Sequence, residues 1–412
     1  MGFNELFEVG QSAWGGAQYY ASDRFEKSFD NSVILIDNIG RVVDAKRRDR
    51  NRIAVKNPPK QLDEVTDHII DLARDEGVHA RPLWLEPIPG DIVLDEVAKR
   101  HACAATPFVL DPVIGEFDDP ANQKQGVLTV PLSTDGNVAV FGSAGVGKTE
   151  FLNALIYSLI STHTAEELSV YLLDFASETL VAFKDAPQVG DVVVGHQAEK
   201  VENLFRMLNK ELDRRRKLFA DYGGDYAGYI RDSGQHVDSI VVAINNFAAF
   251  VEMYDDKEEA ISYLTREGTR YGIYFVLTAV GSSAIRFRIL QNIKQLVVLQ
   301  LNDPTEYAGI LGSTGGVIPS AIKGRGIVRR SEVYEFQTAR VAPVDVAEAA
   351  HIREFCARLS SEWEGPVARR IPILPTAVKP SYLADDIDRP PHSDPGTAPW
   401  PPPWPRAPKA IS

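Results

Sequence analysis

The sequence has 412 residues, of which 44% are hydrophobic, and it carries a formal net charge of −13 with a pI near 5.2. This hydrophobic content is ample for a packed core, whereas the acidic balance has the wrong sign for a protein that works mainly by binding nucleic-acid phosphates. The two cysteines, Cys103 and Cys356, are too few for a disulfide scaffold, and the eight histidines lack zinc-ligand spacing. Because no apolar run approaches the roughly 18 residues that span a bilayer, the sequence favours a cytoplasmic location.

The two ends of the sequence contain a weak internal repeat. Residues 5–13 (ELFEVGQSA) resemble residues 332–339 (EVYEFQTA), and residues 81–87 (RPLWLEP) resemble residues 370–375 (RIPILP). Such repeats indicate tandem domains, each closed by the same edge strand and followed by the same type of linker; chance similarity between short strands is the alternative. The repeat predicts that residues 1–25 are the last strand of a preceding domain, that residues 26–115 are an interdomain region with short helices, and that the chain is a piece of a longer protein.

The most informative motif lies between an apolar run at 137–141 and an amphipathic stretch at 150–161. It reads GSAGVGKT at residues 142–149, a complete GxxxxGK[ST] phosphate-binding loop in the order strand, loop, helix. We expect backbone N–H groups and the helix dipole to hold the phosphates, Lys148 to reach the β- and γ-phosphates, and Thr149 to coordinate Mg²⁺. The candidate binding residues are Gly142, Ser143, Ala144, Gly145, Val146, Gly147, Lys148, Thr149 and Glu150.

Strands and helices alternate after this loop, which predicts an α/β fold with a mostly parallel sheet and helices on both faces. The predicted strands are 138–141, 170–173, 191–194, 240–244, 273–278 and 296–301, and the longest predicted helix runs from Gln197 to about Asp221. A basic run at 214–217 on this helix is interpreted as a solvated or subunit-facing side paired with Glu211 and Asp213; contact with phosphate is the alternative.

The strand at 239–244 is followed by Asn245 and Asn246, where an NTPase of this class normally has an Asp that orients the Mg²⁺ waters and an acid that activates the attacking water. An amide brings no negative charge and accepts no proton near neutral pH, and loss of a general base typically removes about two to four orders of magnitude in rate. We therefore predict nucleotide binding with little or no hydrolysis. The alternatives are that another strand carries the acids, or that Asp174, Glu252 or a neighbouring subunit supplies one.

Several segments together resemble the FtsK/SpoIIIE-type P-loop ATPases, and specifically the later domains of the EssC/EccC ATPases of type VII (WXG-type) secretion. The matching segments are GSAGVGKTEFLNALI at 142–156, YLLDFASETLVAF at 171–183, VGDVV at 189–193, KLFADYGG at 217–224, REGTRYGIYFVLTA at 266–279, LQLNDPTEYAGILG at 299–312 and KGRGIV at 323–328. FtsK-like motors usually carry Asp-Glu where this chain has Asn245-Asn246, and an ATQ-like sensor where it has Thr278-Ala279-Val280.

This resemblance implies a RecA/FtsK-like P-loop NTPase domain at 116–345, with ATP and Mg²⁺ as its ligands. It also implies a cytoplasmic position at the inner face of the membrane as part of a larger anchored protein, with neighbouring ATPase domains, a ring-like homo-oligomer and secreted WXG helical-hairpin proteins as partners. An active motor that translocates protein, or less favourably DNA, is the alternative function. Residues 346–412 are predicted to be a C-terminal linker and a Pro-rich tail.

Overall fold

The structure is a computed structural model that describes residues 10–12, 14–19, 35–41, 59–79 and 85–373. The described residues fall in two compact units, one within Met1–Trp84 and one within Leu85–Ser412. Most of residues 1–25, the predicted last strand of a preceding domain, and the predicted Pro-rich tail after about residue 376 lie outside the described residues. The predicted domain boundaries at 25, 115 and 345 stay predictions.

The second unit contains all the strands that the structure describes and most of its helices. The strands are β1 Val113–Asp119, β2 Lys124–Thr129, β3 Val138–Phe141, β4 Leu168–Asp174, β5 Val189–Val194, β6 Ser239–Asn245, β7 Ile273–Ala279, β8 Gln295–Leu299, β9 Arg325–Arg329 and β10 Val333–Thr338. The helices, counting that of the first unit, are α1 Gln61–Asp75, α2 Leu94–Arg100, α3 Leu132–Asp135, α4 Lys148–Thr162, α5 Ala198–Leu218, α6 Tyr226–Asp232, α7 Phe247–Met253, α8 Glu258–Glu267, α9 Phe287–Leu290, α10 Thr305–Leu311 and α11 Glu348–Glu362.

All ten strands form one sheet in the order β2-β1-β10-β9-β8-β3-β7-β6-β4-β5. The six strands from β8 to β5 in this order pair in parallel, and they are the six strands that the sequence predicts. The remaining four pair antiparallel. The mostly parallel sheet is therefore confirmed. The predicted role of residues 332–339 as an edge strand is wrong, because β10 lies between β1 and β9.

Helices cover both faces of the sheet, as predicted. Strand β3 shows this most simply: Val138 and Val140 belong to one hydrophobic core, which α4 and α11 cover, and Ala139 and Phe141 belong to a second core covered by α5, α7 and α8. All four side chains are fully buried. A strand buried on both faces needs a continuous apolar run, which is why β3 and its parallel neighbours are visible in the sequence.

The basic run on α5 is only partly a solvated surface. Arg214 is half exposed and pairs with Glu211, as predicted, but Arg215 is fully buried. The Arg215 guanidinium donates to the Glu211 carboxylate (2.7 Å) and to the main-chain oxygens of Tyr271 (2.9 Å) and Asp238 (2.8 Å). Five donors in a planar fork suit this arrangement, so Arg215 fixes α5 against the segments that lead into β6 and β7.

In the first unit, α1 follows a short antiparallel bridge between Gln18 and Lys60. Its apolar side chains are exposed, and no residue of the helix is buried. Across the described ranges of both units, none of the helices is long and apolar enough to cross a membrane.

Candidate nucleotide-binding site

The phosphate-binding loop occupies the position that the motif predicts, between β3 and α4. Its first residues continue the sheet at its carboxyl edge: Gly142 N donates to the Ala279 oxygen (3.1 Å) and Ser143 N donates to the Gln300 oxygen (2.8 Å). Helix α4 then begins at Lys148 and runs for 15 residues. The first-turn N–H groups of a helix have no intrahelical acceptor, so this end of α4 is suited to an anion.

Lys148 lies within the curl of the loop. Its ammonium group donates to the main-chain oxygens of Gly142 and Ser143, both at 2.6 Å. Burial lowers the pKa of Lys148 from its ordinary value, and the nearby Glu150 carboxylate opposes this shift. Because the ammonium is partly desolvated and satisfied only by neutral carbonyls, a phosphate anion placed in the loop is a stronger acceptor for it.

A segment at 320–324, which we call the strap, contacts the loop although it lies far from it in sequence. Gly324 N donates to the Val146 oxygen (2.8 Å), and the Lys323 ammonium pairs with the Glu150 carboxylate. Gly147 has a φ of +117°, and a Cβ there would lie 2.7 Å from Gly324 N. Only glycine therefore allows both this backbone conformation and this close approach. Sequence reasoning missed the strap, although the segment KGRGIV belongs to the resemblance.

The strap is in turn held by Gln300, the residue that receives the Ser143 N–H. Its side-chain amide donates to the main-chain oxygens of Ser320 and Ile322, both at 2.6 Å. One residue thus connects the start of the phosphate-binding loop to the segment that covers it. The local sequence does not single out Gln300, because its partners are distant in sequence. Ser320 lies about 20 residues after it, and Ser143 lies much further before it.

Asn245 and Asn246 lie at the carboxyl end of β6, separated from β3 only by β7. Asn245 is buried, and both ends of its amide are bonded: Nδ2 donates to Asp174 Oδ1 (2.9 Å) and Oδ1 accepts from Thr278 Oγ1 (2.9 Å). Thr278 Oγ1 accepts in turn from Asn246 N (2.8 Å). These residues form a continuous chain of hydrogen bonds across the ends of β4, β6 and β7.

Asp174 lies at one end of this series of hydrogen bonds, and it is one of the two acids named above as possible replacements for the missing pair. It is 1% exposed, and besides Asn245 its carboxylate accepts from Ala176 N and Leu180 N, both at 3.1 Å. A carboxylate with three donors is held in place and satisfied by the protein itself. Glu252, the other candidate, lies on α7 with its side chain exposed.

The loop fits a triphosphate with its magnesium ion better than it fits a free metal. Thr149 is half-buried at the second position of α4, where its hydroxyl is the natural metal ligand of this motif. Over the ranges that the structure describes, no group of three or more His, Cys, Asp or Glu side chains is placed to hold a metal ion. Mg²⁺ typically keeps several waters and binds through phosphates with few protein ligands, which is what these residues offer.

A cavity of about 740 Å³ lies elsewhere, and none of the predicted site residues lines it. It lies beside β4, between α5 and the segment at 366–369, and its lining includes Tyr171, Glu211 and Asp238. Two of its lining residues are joined by a hydrogen bond, which the Tyr171 hydroxyl donates to the Arg369 oxygen (2.7 Å). The phosphate-binding loop, not this cavity, carries the candidate chemistry.

Comparison with curated proteins identifies relatives over almost the whole chain. The sequence is 28% identical over 393 residues to the type VII secretion system protein EssC of Staphylococcus aureus strain MRSA252, covering 92% of this chain and 26% of that protein. It is 29% identical over 352 residues to the ESX secretion system protein YukB of Bacillus subtilis strain 168, covering 84% of this chain and 22% of that protein. The chain thus spans about a quarter of the length of these relatives.

Solved structures have the same fold. Thermomonospora curvata EccC (ATPases 2 and 3), in complex with a signal sequence peptide, aligns with a TM-score of 0.64 at 27% identity, covering 73% of this chain and 57% of that one. EssC (ATPases 2 and 3) from Geobacillus thermodenitrificans aligns with a TM-score of 0.66 at 24% identity and the same coverage. The model of the FtsK/SpoIIIE family matches residues 106–315, half of the chain. Together with the ten-stranded sheet and its phosphate-binding loop, this match shows that the chain belongs to the FtsK/SpoIIIE family of P-loop ATPases.

Proposed function

We propose that this chain is an ATP-binding domain of a type VII secretion ATPase that holds Mg-ATP and hydrolyses it slowly or not at all. The observation that carries the proposal is the contrast at one edge of the sheet. The phosphate-binding loop at the end of β3 is complete, whereas the end of β6 presents two amides, one of them already bonded at both ends.

Binding is supported by the arrangement around Lys148. The N-terminus of α4, the backbone of residues 142–147 and the Lys148 ammonium surround one concave site. In the proposed complex Lys148 leaves the Gly142 and Ser143 oxygens for the β- and γ-phosphates, and Thr149 contributes its hydroxyl to Mg²⁺. Lys148, Thr149 and the loop backbone would hold the Mg²⁺-triphosphate, and the ion would supply neutralisation of phosphate charge.

Slow or absent hydrolysis is supported by the hydrogen-bond chain through Asn245. The Asn245 amide donates to Asp174 and accepts from Thr278 inside a buried site, and because it carries no charge it could offer a metal-bound water only a neutral hydrogen bond. Neither asparagine accepts a proton from an attacking water. The chain therefore keeps the groups that bind nucleotide and lacks the groups that activate water.

The proposed role is structural or regulatory within protein export. Its curated relatives are much longer secretion proteins, and the structurally similar EssC and EccC chains comprise ATPases 2 and 3. We propose that the chain works beside other ATPase domains of the same polypeptide, in a ring-like assembly at the inner face of the membrane, on secreted WXG-type helical hairpins. Bound ATP would stabilise the domain in proportion to the logarithm of its concentration over its Kd.

The second candidate function is an active motor in which another acid replaces the missing pair. The observation that favours it is the position of Asp174, whose strand ends at the same edge and which contacts Asn245 directly. Against it, the Asp174 carboxylate is buried and already accepts three hydrogen bonds. A DNA-translocating motor is disfavoured by the net charge of −13.

Thermal unfolding and phosphate release, measured on the same samples, test the proposal. Mg-ATP at about 100 times its Kd should stabilise the protein by about 2.7 kcal/mol, which raises the melting temperature by several degrees. Phosphate release should stay at the level of the Lys148→Ala variant, which should also lose the thermal shift. Turnover that Lys148→Ala abolishes would favour the motor. The absence of any thermal shift with Mg-ATP would contradict nucleotide binding itself.

A further inference from the structure

The exposed apolar side chains of α1 form a stripe along one side of the helix. Leu62, Val65, Ile69 and Leu72 recur at intervals of three and four residues, and each is exposed by half or more of its surface. Residues at this spacing lie on one face of a helix, so the stripe is a continuous apolar surface suited to packing against another element.

A second helix of the same length shows what covers such a stripe. Helix α11 also has 15 residues, and when the two helices are aligned end to end, Val65, Ile69 and Leu72 correspond to Ile352, Cys356 and Leu359. The similarity continues beyond the helices: Glu76-Gly77 is followed two residues later by Ala80-Arg81, and Glu364-Gly365 is followed two residues later by Ala368-Arg369. Trp363 is the one additional residue between the second helix and its motif.

The three corresponding residues of α11 are those that face its domain. Ile352 and Cys356 are buried in the core on that face of the sheet, and Leu359 packs against the same core. Phe355 packs against Tyr157 of α4 with ring centroids 4.4 Å apart, and α11 also contacts the turn at Thr179–Phe183. We call the surface of the domain that α11 covers, which includes Tyr157 and residues 179–183, the α11 seat. Residues of α11 that point away from the seat, such as Ala357, are exposed.

We propose that α1 is the terminal helix of a preceding P-loop domain of this same architecture, and that its stripe docks in the surface of that domain equivalent to the α11 seat. The occupant follows from the chain itself. Among the described helices, only α11 combines the length of α1, three of its apolar positions and its following motif, and α11 docks on a P-loop domain. The proposal rests on the tandem arrangement in the proposed function, but it concerns helix packing and makes no use of nucleotide.

A graft within the full chain tests whether α1 fits the seat. Residues 348–362 are replaced by the sequence of residues 61–75, and two matched variants of the grafted helix carry either Ile69→Ser or Ile70→Ser. Ile69 corresponds to the buried Cys356, whereas Ile70 corresponds to the exposed Ala357. We expect the graft to unfold cooperatively, Ile69→Ser to lower its melting temperature by roughly 5 °C, and Ile70→Ser to change it by about 1 °C or less.

Each result decides for or against the docking proposal. If Ile69→Ser and Ile70→Ser have equal effects, the stripe does not fit the seat. The same conclusion follows if the graft is no more stable than a control graft in which Val65, Ile69 and Leu72 are all replaced by serine. Sedimentation of the intact chain provides the second measurement. A dimer that Ile69→Ser in α1 disrupts and Ile70→Ser does not would identify a second copy as the partner and overturn the tandem assignment. ATP binding, measured on the same grafts, reports on the proposed function separately.

Discussion

The ends of β3 and β6 lie at the same carboxyl edge of the sheet with only β7 between them, yet they use their polar groups differently. At the end of β3, the Lys148 ammonium is bonded to neutral main-chain oxygens that a phosphate can replace. At the end of β6, the Asn245 amide is hydrogen-bonded to the side chains of both Asp174 and Thr278, and we call these three residues the Asn245 cluster. Under the proposed function, this difference makes triphosphate binding and water activation separable, with the first retained and the second lost.

The substitution Asn245→Asp should have the largest effect, because it disrupts the Asn245 cluster. It replaces an amide donor 2.9 Å from Asp174 Oδ1 with a second carboxylate in a buried site, where two like charges cannot both ionise at low cost. We expect a loss of about 3 kcal/mol in the free energy of unfolding at pH 7, measured by denaturant titration, and no gain in ATP turnover. Since the pair raises the folded-state pKa of one carboxyl, the deficit should be smallest below about pH 4 and should grow as the pH rises.

The compensating change sharpens this prediction. Asp174→Asn in the Asn245→Asp background restores one carboxylate and one amide, so most of the lost stability should return, giving a coupling energy that a double-mutant cycle measures directly. If the two single substitutions add without coupling, the contact between these side chains does not control the stability of this edge.

Lys148→Ala should weaken nucleotide binding at the phosphate-binding loop, the other side of the comparison. Removing a charge-assisted contact to two phosphates is expected to weaken ATP binding by about 100-fold, near 3 kcal/mol, when measured by calorimetry. Lys148→Arg is the matched control, since it keeps the charge but not the compact ammonium, and it should recover only part of the affinity. Unchanged affinity in Lys148→Ala would place the nucleotide elsewhere.

A smaller effect is expected for Thr149→Ala. Loss of the hydroxyl removes one metal ligand, so affinity for Mg-ATP should fall by roughly tenfold while affinity for ATP in the presence of a chelator stays the same. Thr149→Ser should behave like the unmodified protein. An equal loss with and without Mg²⁺ would show that Thr149 acts on the phosphates or on the helix rather than on the metal.

The smallest effect belongs to the strap. The Lys323 side chain is 63% exposed and its pair with Glu150 is open to solvent, so Lys323→Ala should cost less than about 1 kcal/mol of stability. Its influence should be seen instead in nucleotide release, measured by stopped flow with a fluorescent ATP analogue, which we expect to become about two- to threefold faster.

The sequence predicts the parallel half of the sheet because those six strands are continuous apolar runs between helices. It does not predict β1 or β2, whose strands carry acidic, lysine and glycine residues at the antiparallel end of the sheet. Arg215 was expected on a solvated helix side because a basic run usually is one; only the segments at 238 and 271, distant in sequence, make it a buried donor.

The candidate site also has a part that the sequence predicts and a part that it does not. The phosphate-binding loop is a local motif, and its residues lie where the motif places them. The strap contacts the loop from about 175 residues away, and Asn245 is bonded to residues 71 and 33 positions away. Such contacts depend on the order of the strands in the sheet, which no local pattern encodes. The sequence therefore predicts asparagines where acids are usual, but it does not predict the hydrogen bonds that the asparagines make.

Single-turnover chemistry tests the central claim most directly. The protein, in excess over radiolabelled ATP with Mg²⁺, is held until the nucleotide is bound, and the reaction is quenched at times extending well beyond the residence time of the nucleotide. We predict that ATP is recovered intact, with ADP no higher than in samples of the Lys148→Ala variant. ADP that forms within the bound complex, and that disappears in Lys148→Ala, would contradict the account.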